Sequence, residues 1–204
     1  MPLDPLAQQT DVEDNLGRTL TAGEITRAST LLNRASQLIR SYTGLTFTLV
    51  TDDVAVMRIT AGRVRLPQRP VTAVSKVALV GYDGVQRYTV PFIWDGLDEV
   101  TMFGDYLVLN LPEILHDVYT HTAEITYSHG YATVPDDIRD LTAEVVARVY
   151  QSPSTPGVQY QTAGPFSVRV ADGYGSGQVV LTDADKQLLD DGGYRRGAFT
   201  VGML

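Results

Sequence analysis

The chain has 204 residues, 44% hydrophobic and 20% charged, enough for one globular domain with an appendage and too apolar for a disordered chain. Sixteen Lys and Arg against 24 Asp and Glu give a formal net charge of −8, which excludes a large phosphate-binding surface for nucleic acid. No apolar run can cross a bilayer, and the absence of cysteine excludes disulfides, thiolate zinc sites and cysteine nucleophiles, so the composition reads as that of a soluble, unexported chain.

Residues 1–20 carry Pro2, Pro5, Asp4, Asp11, Glu13 and Asp14 with little apolar periodicity, and are expected to form a flexible arm that orders on a partner. Thr21-Ala22-Gly23-Glu24 has capping-box spacing and predicts a helix start. Ile25, Ala28, Leu31, Leu32, Ala35, Leu38, Ile39 and Tyr42 then recur at steps of three and four, a single apolar stripe that Gly44 ends.

From Leu45 to Tyr127 the period changes to two. The runs Thr46–Val50, Val54–Ile59, Arg63–Leu66, Val71–Leu79, Tyr106–Leu109 and Ala123–Tyr127 read as strands, with turns at Asp52-Asp53, Ala61-Gly62, Tyr82-Asp83-Gly84 and Asp95-Gly96. Asp83-Gly84 predicts a hairpin, since both central residues of a type I′ turn need positive φ. Val134-Pro135-Asp136-Asp137 opens a second helix with Ile138, Leu141, Val145, Val146 and Val149 on its buried side, and the segment Gln151–Gly157 ends it.

Residues 157–177 are expected to be an exposed loop, with Phe166–Val170 as one arm of a hairpin. Thr182-Asp183-Ala184-Asp185 caps a short last helix that closes at Gly192-Gly193, followed by a basic and apolar tail too small to form a core alone. The fold class expected is α+β, a small bundle of a long amino-terminal, a central and a short carboxy-terminal helix packed with an inserted antiparallel β domain. Its divisions are an arm at 1–20, the helix, β insertion and second helix at 21–150, an exposed loop or hairpin at 151–180, and a short helix with its tail at 181–204.

Catalytic chemistry is poorly supported. His116, His121 and His129, with Glu113 and Asp117 nearby, are the only set from which a metal hydrolase could be built, but they match neither HExxH nor a helical pair at i, i+4. Gly173-Tyr174-Gly175-Ser176-Gly177 lacks the following Lys and Ser/Thr of a phosphate-binding loop. Ser128 and His129, adjacent on a strand, point to opposite faces and form no dyad. No catalytic residue, metal site or cofactor is assigned. Arg58, Arg63, Arg65 and Arg69 form the one basic concentration; Arg63 and Arg65 share a strand face, and the leading functional reading is ion pairing between subunits.

The order of these parts carries a resemblance. A capped helix ends in Ser41-Tyr42-Thr43-Gly44, a β-rich insertion contains Leu66-Pro67-Gln68-Arg69-Pro70-Val71-Thr72-Ala73-Val74 and Trp94-Asp95-Gly96, and Tyr127-Ser128-His129-Gly130-Tyr131 runs into Val134-Pro135-Asp136-Asp137-Ile138. This layout, from about Ala22 to Arg196, resembles the head-to-tail connector or adaptor proteins of long-tailed bacteriophages, especially those infecting actinobacteria. The resemblance implies a non-enzymatic virion protein, made in the host bacterial cytoplasm, that forms a ring of twelve identical subunits between the portal and the stopper or tail. DNA would pass through its lumen without specific binding, and no membrane is involved. It further implies that the carboxy-terminal segment docks on the portal; the positions matching that segment include Leu188, Leu189, Tyr194, Arg195, Arg196 and Phe199. A stopper or tail terminator is the alternative within the same particle, and a metal-dependent hydrolase the alternative outside it, separable by metal analysis and replacement of His121.

Overall fold

A computed structural model describes residues 3–82, 87–89, 100–109, 122–151, 160–163, 166–169 and 178–195. The architecture is α+β. Two compact units divide the chain: one made from both ends, Met1–Phe47 with Val134–Leu204, and one inserted between them, Thr48–Thr133.

The terminal unit is helical. Its long helix α2, Ala22–Thr43, begins where the sequence places it: the Thr21 amide and hydroxyl both donate to Glu24 at 2.9 Å. It ends on Gly44, which takes φ 74°, a left-handed conformation that glycine adopts without a Cβ clash. Ala28, Leu31, Leu32, Ala35 and Ile39 are buried as the stripe predicts, whereas Ile25 is exposed. Helix α3, Asp136–Gln151, buries Ile138, Leu141, Val145, Val146 and Val149, and packs against α2. The short α4, Asp183–Asp191, is capped by Thr182, and a two-stranded antiparallel hairpin, Tyr160–Ala163 with Phe166–Arg169, belongs to the same stretch of chain.

The amino terminus differs from the loose arm that its polarity suggests. Gln9–Leu16 is a helix, α1, packed against α3, and Leu6 and Val12 are fully buried. Its few apolar residues lack a helical period because they are anchored on both sides of the helix as well as in it: the Leu6 amide donates to the Ser36 hydroxyl at 2.8 Å, and Leu20 is buried after the α1 cap. Tertiary contact supplies what local propensity does not.

The inserted unit holds two antiparallel sheets. In chain order its strands are β1 (Val50–Arg58), β2 (Arg63–Arg65), β3 (Val71–Tyr82), β4 (Arg87–Thr89), β5 (Val100–Phe103), β6 (Tyr106–Leu109) and β7 (Thr122–His129). One sheet has the order β1-β7-β3-β4 and the other β2-β6-β5. Val64, Leu66, Val77, Leu107, Leu109, Ala123, Ile125 and Tyr127 make one core from both sheets, and burying a side chain such as Ile125 contributes about 2 kcal/mol. Strict alternation on β7 buries Ala123, Ile125, Tyr127 and His129.

Three strand expectations are corrected here. Thr46–Leu49 is not a strand: Phe47, at φ 62°, is fully buried with the helical unit, so its side chain is used by the bundle. Asp52-Asp53 is no turn but a bulge inside β1, with Asp52 at φ 52° and the pairing to β7 shifted between Val50 and Asp53. Strand β5 has no counterpart among the strands the sequence predicts; it pairs with β6 across Gly104-Asp105, with Gly104 at φ 60°. The Asp83-Gly84 turn and Asp95-Gly96 lie outside the described residues, although β3 and β4 pair antiparallel on either side of the former.

Candidate functional site

The carboxy-terminal segment is held to the helical unit by charge. Asp185 accepts from Arg148 at 2.6 and 2.8 Å and from the Thr182 amide at 2.8 Å, and only 6% of its side chain is exposed. Burial alone would raise this carboxyl, but the Arg148 guanidinium and the Thr182 amide outweigh it and hold Asp185 below the usual carboxylate range. Beyond α4 the chain reverses at Gly193, φ 71°, and the Tyr194 amide donates to the Leu189 carbonyl at 3.0 Å. The Tyr194 ring then meets Phe47 edge to face at 5.3 Å, and its hydroxyl donates to Asp137 at 3.1 Å. Arg195 reaches Asp190 at 3.4 Å and lies over the Tyr42 ring at 5.2 Å, while the Tyr42 hydroxyl donates to Asp190.

This geometry sorts the residues assigned to docking. Leu189 is fully buried and belongs to the helical core, so it is withdrawn as a contact residue: α4 turns it inward while its neighbour Leu188 stays 46% exposed. Tyr194 is half-buried and anchors the root of the tail. Arg195 is exposed. Arg196 and Phe199 lie outside the described residues.

The arginines separate as well. Arg58 is exposed at the end of β1 and Arg69 half-buried after β2. Arg63 and Arg65 flank buried Val64 and share a face, as the alternation requires. Arg65 is held at home by Asp105 at 2.9 Å and lies 5.4 Å over the Tyr106 ring. Arg63 is exposed and has no ion-pair partner among the described residues. Beside it opens a groove of about 410 Å³ lined by Arg63, Phe103, Tyr106 and Val108, with Phe103 63% exposed. Sequence reasoning missed this groove because it missed β5; the β-prone run Val100–Phe103 ahead of Gly104-Asp105 was the signal available.

Of the three histidines only His129 is described. It is 1% exposed, its Nε2 lies 3.2 Å from Asp53 Oδ2, and its ring is 5.1 Å from that of Tyr127. With a carboxylate facing Nε2 and the ring buried, this is a hydrogen-bonded core histidine. His116 and His121 lie outside the described residues, and among the described residues no three His, Cys, Asp or Glu side chains gather as a metal site. The Ser128 hydroxyl accepts from the Asp52 amide at 3.3 Å, on the face opposite His129. The glycine-rich run 173–177 is outside the described residues. No helix among the described residues is long and apolar enough to cross a membrane.

No protein-family model matches the chain, and no curated protein matches it in sequence. Among solved structures, a chain from the neck of an empty gene transfer agent (GTA) particle, computed with C6 symmetry, matches with a TM-score of 0.53. The correspondence covers 97% of this chain and 93% of that one at 16% identity. It is a correspondence of fold, and it takes in both the helical and the inserted β unit.

Proposed function

We propose that the chain is a structural protein of the neck of a phage-like particle, a head-to-tail connector that performs no catalytic step. The observation that carries this reading is the fold correspondence to a neck chain over nearly the full length of both sequences. A match through bundle, insertion and bundle supports this reading more strongly than one confined to either unit would.

Within the neck, the adaptor position next to the portal is favoured over a stopper or tail terminator by the layout around Leu66–Val74 and Tyr127–Ile138. The subunits form a closed heterologous ring, one patch of each copy meeting a different patch of the next. Six or twelve copies are compatible with the C6 symmetry of the neighbour's particle, and the adaptor resemblance favours twelve. The tail beyond α4, with Arg195, Arg196 and Phe199, docks on the portal, and Tyr194 fixes its starting point against Phe47. A net charge of −8 suits a conduit that DNA traverses without adhering.

Purified particles test this. The polypeptide is expected in them in ring stoichiometry, between capsid and tail by electron microscopy; complete, functional particles that lack it overturn the reading. Removing residues 196–204 is expected to abolish portal binding with the melting temperature unchanged. Equal binding by the truncated chain would remove the docking assignment alone.

A further inference from the structure

We propose that the groove on the β2-β6-β5 sheet receives helix α4 of a second copy of this chain, with Leu188 entering it and Asp191 pairing with Arg63. The inference rests on the ring assembly above and names its contact.

The groove is apolar with one cation at its side. Phe103 is 63% exposed, an unusual cost for so large a ring in an isolated protein, and Tyr106 and Val108 line the groove beside it. Arg65, on the same strand face, already has Asp105, but Arg63 has no carboxylate among the described residues. The complementary surface is an aliphatic side chain one helical turn from an acid. A small anion would leave the apolar lining unused.

Helix α4 presents that surface. Leu188 is 46% exposed, and Asp191, three residues on, shares its face. The other acids of the helix are engaged: Asp183 by Lys186, Asp185 by Arg148, Asp190 by Tyr42 and Arg195. Asp191 is exposed and has no ion-pair partner among the described residues. So one unit of the chain carries a spare cation beside an apolar groove, and the other a spare carboxylate beside an apolar knob. A groove and a knob at different places on one chain join copies head to tail, the heterologous contact that closes a ring. Leu188 and Phe103 supply most of the affinity and the rim charges set the pairing.

The full chain lacks cysteine, so engineered thiols report this contact cleanly. A Thr101→Cys chain and a Gln187→Cys chain are mixed and treated with a short bismaleimide; Thr101 is exposed and pairs with Val108 on the groove's face, Gln187 precedes Leu188, and both leave Arg63, Phe103, Leu188 and Asp191 intact. Mixed dimer is expected on the order of tenfold above that from Thr101→Cys with Asn33→Cys, an exposed position on α2. Adding Leu188→Asp to the Gln187→Cys chain is expected to return the yield to the control, with an unchanged melting temperature. Arg63→Asp or Asp191→Arg is expected to lower it several-fold and the two together to restore it.

Self-association by sedimentation with mixed dimer no higher than the control means that copies meet elsewhere; it overturns the groove assignment and leaves the neck reading standing. A chain that stays monomeric and uncrosslinked at every concentration overturns the second copy as occupant, as does crosslinking from Thr101→Cys to a different polypeptide in purified particles. The neck reading itself fails only on the particle experiment above.

Discussion

The helical unit and the inserted β unit treat their surfaces differently. In the helical unit polar ends are closed internally: Thr21, Glu24 and Arg18 satisfy the start of α2, and Thr182, Asp185 and Arg148 that of α4. In the β unit apolar side chains are left outside. Of the eight large hydrophobic side chains exposed among the described residues, five (Leu49, Val54, Val56, Met102 and Phe103) belong to it. Val54 and Val56 lie on β1, an edge strand. Exposed apolar strands are a hazard for a free monomer and an asset for a subunit, so the difference puts the surface available to the proposed ring on the insertion.

The sharpest test of that contrast is a position where the β unit has no tolerance. Gly130 sits at φ 93°, donates to the Pro70 carbonyl at 2.9 Å, and a Cβ there would sit on the Thr48 carbonyl oxygen. Gly130→Ala is expected to destabilise by about 4 kcal/mol in thermal melts, against about 1 kcal/mol for Gly17→Ala, where φ is positive but the space is open. Next comes the internal charge pair: Arg148→Met leaves Asp185 buried without its cation and is expected to cost about 3 kcal/mol by chemical denaturation.

Of two adjacent leucines, Leu189→Ala should cost about 3 kcal/mol and Leu188→Ala less than about 0.5. Equal costs would show that α4 does not face the bundle as described. Acid gives a smaller, graded effect in the helical unit. The Arg18 guanidinium and the Thr21 amide and hydroxyl lower Glu24 from 4.5 to about 2, and Asp185 is lowered from 3.8. Depressed carboxyls contribute stability that is full above their unfolded values and lost as pH falls through the folded ones. Hydrogen exchange at the first turns of α2 and α4 should therefore accelerate as pH falls from about 4.5 towards 2, beyond the intrinsic rate change. Val54→Thr with Val56→Thr should be the mildest, within about 0.5 kcal/mol, while reducing aggregation of the free chain.

Much was readable in one dimension wherever a rule acts within a few residues. The capping box at Thr21, the cap at Thr182, the glycine stop at Gly44, the apolar stripes of α2 and α3 and the alternation of β7 are local, because a helix start or a strand face is decided by side chains three or two positions apart. Net charge, the absence of cysteine and the shared face of Arg63 and Arg65 were equally plain. What required the third dimension was every choice set by distant contacts. The amino terminus became a helix because the bundle buries Leu6 and Val12; Phe47 left its strand for the same core. Leu189 and Leu188, alike in sequence, parted because α4 packs on one side only, and Arg65 and Arg63 because Asp105, forty residues on, reaches just one of them. Local spacing decides what a residue can do; the neighbours brought by folding decide which of two equivalent residues is left free to do it.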